Sequence, residues 1–494
     1  MKGRRRRGSS SGTSSRLLAL VLSGLLVGCA AARAAGPPVA DAGLQPQRYQ
    51  PSAQQQAFLE ELQRDTFRFF WEASPSMNGL TPDRSPGGDV SSVAAVGFAL
   101  TSYLVGVERG YVTRAEAAAR TRATLETLWR AAQGPGADGV AGHHGLFYHF
   151  LDGRQCVRAW GSELSTIDTA LLMAGVLSSQ AYFDRDEEQE RAIRLLADGL
   201  YRRVDWAWAS SPRHPPLLSM GWSPEAGFLD VDWRGYNEGM LLYVLALGSP
   251  THPVDPRAWE DWTSSYQWEA ANGPPHVTFG PLFGHQYSHV WIDFRGIQDH
   301  VMQAKKTDYF TNSVLATYAN RAYCIANPGR WKGYGELAWG LTASDGPLDE
   351  RLAAGGGATP FHAYWARGAD ASWDDGTIAP TAVGGSVPFA PEVAIPTLLS
   401  LRERFGDRLY GPYGFRDAFN LSYPDAAGAG WFDDQYLAID EGPILLMVEN
   451  YRTGFVWELL KKSAYVTDGL RRAGFSGGWL DATPRAPVQA ALSH

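Results

Sequence analysis

The chain has 494 residues, 45% of them hydrophobic and 19% charged, with a formal charge of −8, long enough to bury a large core. An acidic balance excludes nucleic acid as the natural partner, since phosphates need Lys and Arg, and excludes broad binding to anionic lipid. A neutral polymer is compatible with it, and the three cysteines contain no CxxC pattern of a zinc site.

At the N-terminus a basic cluster, Arg4 to Arg7, precedes an apolar run from Leu17 to Val27. That run is too short to span a bilayer but suits an export signal. Leu26-Val27-Gly28-Cys29 has the form of a bacterial lipobox, with cleavage before Cys29 and lipidation of its thiol. An ordinary signal peptide cut after Ala32 or Ala35 is the other reading. The expected boundaries are a signal peptide at 1–28, an Ala/Pro/Gln-rich tether at 29–52, one domain at 53–482 and a tail at 483–494. Residues 1–28 hold six basic and no acidic residues, so the mature charge becomes about −14. The expected product is exported to the periplasm or outer membrane, monomeric, and tied to the membrane only by its lipid. Cys156 and Cys324 then form either a disulfide or two separate buried thiols.

Downstream the apolar pattern is mostly helical and of two kinds. Ala53–Ala73, Thr113–Gln133 and Asp184–Trp206 are amphipathic and heavily charged, as solvent-facing helices should be. Ser91–Val107, Ser165–Phe183, Glu238–Leu247, Tyr309–Ala326, Pro391–Leu401 and Gly442–Leu460 are small, apolar and poor in charge. Helices apolar on all sides are buried on all sides. The alternation predicts two concentric rings, an all-α (α/α)6 toroid with six inner and six outer helices. Short strands are expected in loops such as Gly142–Trp160 and His276–Arg295. Most inner helices follow a loop rich in Gly, Trp and acid, so carboxylates from distant segments should meet at one mouth.

Glycosidic-bond hydrolysis needs two such carboxyl groups, one protonated and one ionised. Glu238 stands in Tyr236-Asn237-Glu238-Gly239 directly before an apolar helix. It is either a first-turn carboxylate favoured by the helix dipole or an acid whose pKa burial raises. Asp440 and Glu441 open the last inner helix, and capping explains only one of two adjacent acids. Asp433 and Asp434 compete with them. Glu163 and Asp168 flank Ser165-Thr166; Ser165 with Asp168 has the form of a capping box, and either acid can equally bind sugar hydroxyls. His285 and His289 in HQYSH have a metal-ligand spacing, but neighbouring Gly and Pro argue against a helix there, and no metal is expected. There is no G-x-S-x-G elbow, and GGGA at 355–358 lacks the Walker lysine, so no cofactor is expected. Of 18 tryptophans, Trp160, Trp222, Trp233, Trp365, Trp373 and Trp431 lie in loops, suited either to stacking on sugar rings or to plugging crevices.

Several ordered segments carry a family resemblance: GLTPDRS (79–85), STIDTALLMAG (165–175), YNEGMLLYVLALGSPTHP (236–253), LFGHQYSHVWIDFRG (282–296), GTIAPTAVGGSVPFAPE (376–392), GFRDAFN (414–420) and YLAIDEGPILLMVENYRTG (436–454). The chain resembles the glucoamylase-like (Glycoamylase) domain family of β-1,2-glucan-active enzymes, glycoside hydrolase family 144. The resemblance implies an (α/α)6 barrel and inverting hydrolysis of β-1,2-glucan to sophorose or short β-1,2-glucooligosaccharides. It implies Glu238 as acid and Asp440 as base, with Asp434 and Glu441 still open for the second role. Here Asp-Glu-Gly-Pro stands where Asp-Gln-Gly-Pro is expected. Asp168 and Glu163 are then expected to position the sugar at the cleavage point. Asp83, Arg84, Tyr236, His285 and Gln286 would contact hydroxyls, with Trp160, Trp233, Asn237, Tyr287 and Trp373 completing the substrate surface. The rivals are a transglycosylase that remodels glucan and a non-catalytic, lipid-anchored glucan-binding protein.

Overall fold

A computed structural model describes residues 49–270, 272–348, 361–424 and 428–484. Cys29, the signal and most of the tether, GGGA at 355–358 and most of the tail lie outside the described residues.

Among the described residues, twelve helices alternate between an outer and an inner position. The outer ones are α1 (Ala53–Arg68), α3 (Arg114–Arg130), α5 (Glu188–Arg202), α7 (Arg257–Ser264), α10 (Tyr309–Ala326) and α12 (Pro391–Phe405). The inner ones are α2 (Val93–Glu108), α4 (Thr166–Tyr182), α6 (Gly239–Gly248), α8 (Tyr287–Trp291), α11 (Pro380–Gly384) and α13 (Ala438–Thr453). Helix α9 (His300–Lys305) and a C-terminal group, α14 (Phe455–Leu460), α15 (Ala464–Arg472) and α16 (Gly478–Ala482), pack outside them. Inner neighbours touch in the order α2, α4, α6, α8, α13 and back to α2, with α11 on α13, while α12 reaches α1. This is the expected (α/α)6 toroid.

Burial separates the two rings. Every residue of α6, α8 and α11 is buried, and α2 and α4 are buried all round for most of their length. The outer α5 buries only one stripe, with charges opposite. Tyr309–Ala326 and Pro391–Leu401, expected inside, are outer helices. Arg402 of α12 faces out to pair with Glu61 of α1. Their inner counterparts are the one-turn helices α8 and α11. The Gly and Pro around His285 and His289 therefore do not prevent a helix: a 3₁₀ turn over Leu282–His285 runs into α8.

Helices α2 and α4 approach at paired glycines. A Cβ on Gly97 would lie 2.3 Å from the Leu171 carbonyl oxygen, and one on Gly175 would lie 2.1 Å from that of Gly97. Neither position admits a larger residue without separating the helices. Cys156 and Cys324 sit in different parts of the core as separate buried thiols. No helix among the described residues is long and apolar enough to cross a membrane.

Short antiparallel pairs deliver the chain to the inner helix starts. Val90–Ser92 pairs with Phe150–Asp152, and Ser92 then caps α2. Leu164–Ser165 pairs with Gly221–Ser223, and Ser165 caps α4. Arg84–Ser85 pairs with Tyr436–Leu437, directly before α13. These clamps hold the acidic loops over one end of the toroid.

Candidate active site

Glu238 occupies the N-cap position of α6, yet its side chain makes no capping hydrogen bond. The turn is held from elsewhere. Asn237 accepts from the Gly239 N–H at 3.0 Å and donates to the Arg234 carbonyl at 3.1 Å. Ser288 of α8 donates to the Glu238 carbonyl at 3.0 Å. The Glu238 carboxyl is thereby left free, and its Oε2 is buried without a partner. Burial, aided by the Asp168 charge, raises its pKa to about 7.

Asp440 lies in the first turn of α13 and is 4% exposed. The Thr381 hydroxyl of α11 donates to its backbone carbonyl at 2.9 Å, and its Oδ2 has no partner. Tyr287 of α8 is near both acids. Its hydroxyl donates to the Ile439 carbonyl at 3.2 Å, and its phenol oxygen lies within the fields of both Asp440 and Glu238.

Around Asp440 stands a second tier of acids. Asp417 and Asp433 are buried, and Asp345 contributes its backbone N–H to Asp417 Oδ2 at 2.7 Å. Burial first, and the neighbouring carboxylates second, push both Asp417 and Asp433 upward. Arg84 is the resident cation, pairing with Asp345 at 2.8 Å and Asp83 at 3.0 Å and donating to Gln435 at 2.9 Å. Tyr364 lies within the same field.

On the α4 side His149 bridges Glu163, at 2.9 Å, and Asp168, at 3.7 Å. Burial lowers its pKa, but the Asp168 and Glu163 carboxylates outweigh this and raise it to about 9. Ser165 and Asp168 form half of the expected capping box. The Ser165 hydroxyl accepts from the Asp168 N–H, while the Asp168 carboxylate accepts a hydrogen bond from the Ser165 hydroxyl rather than from a backbone N–H. Ligand atoms of His149, Glu163 and Asp168 lie within 4.8 Å of one another, as do those of Asp345, Asp417 and Asp433. In the first group the imidazolium is itself the cation, and in the second Arg84 is.

The structure thus brings Glu238, Asp440, Asp168, Asp83, Arg84, Glu163 and Tyr287 to one mouth. Other expected contacts lie elsewhere. Gln286 is 1% exposed and donates to the Ala382 carbonyl and Ser386 hydroxyl, so it ties α8 to α11 instead of facing the mouth. His285 is equally buried, bonded to the Phe279 carbonyl and packed on Tyr236, itself buried. Trp233 is buried and donates to the Thr166 hydroxyl, supporting the start of α4 from below. Asn237 spends its side chain on its own turn. Asp434 is exposed, its carbonyl taken by Arg416. Glu441 is 1% exposed and turned toward Thr66 of α1 and Gly414, away from the mouth. Trp160 is 64% exposed and packs on Phe150, which stacks on His149. Trp373 stacks on Trp365, next to Tyr364.

His149, Asp345, Tyr364 and Asp417 escaped the sequence reading as site residues. Asp417 was within sight, since it lies in GFRDAFN.

Comparison with known proteins agrees with this architecture. Residues 230–464 match the Glycoamylase family model, described as "Putative glucoamylase". The chain is 30% identical over 446 residues to the exo β-1,2-glucooligosaccharide sophorohydrolase (non-reducing end) of Parabacteroides distasonis, covering 84% of this chain and 57% of that protein's length. The crystal structure of a "putative glucoamylase" from Bacteroides uniformis superposes with a TM-score of 0.76 and 32% identity, over 88% of this chain and 100% of that one. The endo-β-1,2-glucanase of Chitinophaga pinensis, solved with sophorotriose and glucose, gives a TM-score of 0.75 and 28% identity over 86% and 99%. With the fold, the mouth and a relative matched along its whole length, the chain belongs to the Glycoamylase family.

Proposed function

We propose that the chain is an inverting glycoside hydrolase that cleaves β-1,2-glucan to sophorose or short β-1,2-glucooligosaccharides. The observation that carries this is the pair Glu238 and Asp440. Both are carboxyls at inner helix starts, both have an oxygen without a partner, and both lie close enough to act on the Tyr287 phenol. Burial keeps Glu238 protonated up to about pH 7, so it supplies a proton to the leaving glycosidic oxygen. Asp440 takes a proton from the attacking water, which bonds to the anomeric carbon as the glycosidic bond breaks. The orientations of Glu441 and Asp434 favour Asp440 over its rivals for the base. The relatives named above include an exo-acting and an endo-acting enzyme on this linkage, which supports the substrate.

Incubation with linear β-1,2-glucan, with chromatography over time and NMR of the first anomer released, tests the proposal. Release of small oligosaccharides with inverted configuration is expected. Early fall in chain length marks endo attack, and early sophorose marks exo attack. Accumulation of longer chains would make the protein a transglycosylase. No release, alongside activity on an α-glucan, would overturn the substrate.

Export and lipidation at Cys29 form part of the same proposal, supported by the Arg4–Arg7 cluster and the Leu17–Val27 run. Mass spectrometry of the mature N-terminus checks it. A lipid-modified Cys29, lost in Cys29→Ser, is expected, and an unmodified N-terminus at Arg33 or Gly36 would refute it.

A further inference from the structure

Asp417 and Asp440 are each 4% exposed, and their side chains lie within reach of one another. Asp417 is fixed on both sides. Its N–H donates to the Gln435 carbonyl at 3.0 Å, and its Oδ2 accepts from the Asp345 N–H at 2.7 Å. That leaves Asp417 Oδ1 and Asp440 Oδ2 as buried oxygens without a donor. Two ionised carboxylates in contact repel, and a buried acceptor left unpaired is destabilising. One proton between them removes both costs.

We infer that Asp417 and Asp440 act as one unit holding a single proton, with Asp417 as its carrier and hydrogen-bond donor to Asp440. Asp417 is then a positioning residue that keeps Asp440 ionised and aims its other oxygen at water. The inference rests on the reading of Asp440 as base.

The surroundings agree. Burial first raises both carboxyls, Asp417 well above the ordinary carboxylate range and Asp440 to about 7, and the closeness of the two raises Asp417 further while it offsets part of the rise at Asp440. Asp345 and Asp433 face the pair from the loops beside it, Asp83 from the segment before α2, and Glu441 from α13 itself. The Asp345 and Asp83 charges favour retention of the proton, whereas burial raises Asp433 and Glu441 themselves, so they add less. Arg84 opposes them with one positive charge. The Tyr287 phenol remains neutral, since burial first and these carboxylates second raise it, and the same carboxylates raise the phenol of Tyr364, whose ring is 38% exposed at the rim.

The test is the pH dependence of kcat on linear β-1,2-glucan for Asp417→Asn and Asp417→Ala. The amide keeps a donor toward Asp440. Asp417→Asn should lose up to about tenfold in kcat, with its acid limb near that of the natural protein. The alanine keeps no donor, so its acid limb should move up by about a unit, a further tenfold loss below that limb that recovers as pH rises. An unmoved limb in Asp417→Ala would overturn the inference, as would an Asp417→Asn variant as inactive at every pH as Asp440→Asn. Infrared difference spectra give a readout independent of turnover. The protonated-carboxyl band of the natural protein at neutral pH should lose one component in Asp417→Asn, and an unchanged band refutes the shared proton. Loss of that component in a protein that cleaves no β-1,2-glucan would leave the carboxyl pair standing and sink the proposed activity instead.

Discussion

Ser288 stands in for the missing N-cap of α6: its hydroxyl donates to the Glu238 carbonyl and accepts from the Leu241 N–H, both at 3.0 Å. A residue of one inner helix therefore fixes the first turn of its neighbour, and Glu238 is released from capping. Ser288→Ala should cost about 1–2 kcal/mol of stability, as loss of a cap does. It should also lower kcat more than it raises KM, because the acid is displaced while the sugar surface is intact. Thermal melts and steady-state kinetics check this. A variant with lower melting temperature and unchanged kcat would show that the contact only supports the helix.

Glu238→Gln should reduce kcat by about 10²–10⁴-fold, the range for a lost general acid. The alkaline limb of the natural protein, falling through about pH 7 as Glu238 ionises, should disappear with it. Stability moves the other way. A carboxyl raised from 4.5 to about 7 on folding costs the natural protein nothing below pH 4.5. Stability is lost as pH rises from there through about 7. The Gln variant should therefore match the natural protein at pH 4 and exceed it by about 1–3 kcal/mol at pH 8, read by chemical denaturation at both values.

Much of this site was legible in the sequence because the inner helices are apolar on every side. Val93–Glu108, Thr166–Tyr182, Gly239–Gly248 and Ala438–Thr453 stand where the charge-poor runs are, and acids at their starts had to meet. Helices α8 and α11 were not legible, since five residues cannot display a 3.6-residue period. Helix α10 misled for a different reason. Its Asn312, Ser313, Thr317 and Asn320 are buried by hydrogen bonds to loops, so low charge did not mean an inner position. Asp345 and Asp417 lie on loops beside two-residue strands, where no spacing marks them. His149 becomes interesting only once Glu163 and Asp168 are folded against it.

His149 should be a pH-dependent brace. Its pKa is about 9 in the folded protein against an ordinary 6.5, so its stabilisation is fully present below pH 6.5 and is lost as pH rises through about 9. The side chain is 23% exposed, and water screens part of the effect, leaving about 1–2 kcal/mol. His149→Gln should be less stable than the natural protein at pH 6 and equal to it at pH 10. The same substitution leaves Glu163 and Asp168 facing each other without a cation, so KM for glucan should rise at neutral pH. A stability difference that persists unchanged to pH 10 would show that the ring matters by packing and not by charge.

Arg367 and Asp375 form an ion pair with both side chains fully buried, at 2.7 Å. The guanidinium also donates to the carbonyls of Ser344, Trp365 and Ala363, while Asp375 accepts the His362 N–H. One pair therefore anchors the strand that precedes Asp345 and the loop that carries Tyr364 and Trp365. Arg367→Met leaves a buried carboxylate without its partner and should destabilise the protein by about 3–5 kcal/mol. Arg367→Met with Asp375→Leu removes both charges and should recover much of that stability. Activity should not recover with it, because Asp345 and Tyr364 lose their shared anchor. Thermal melts of the single and double variants, beside kcat on β-1,2-glucan, separate the two effects. A double variant that regains full kcat would show that the pair supports the fold without positioning the mouth.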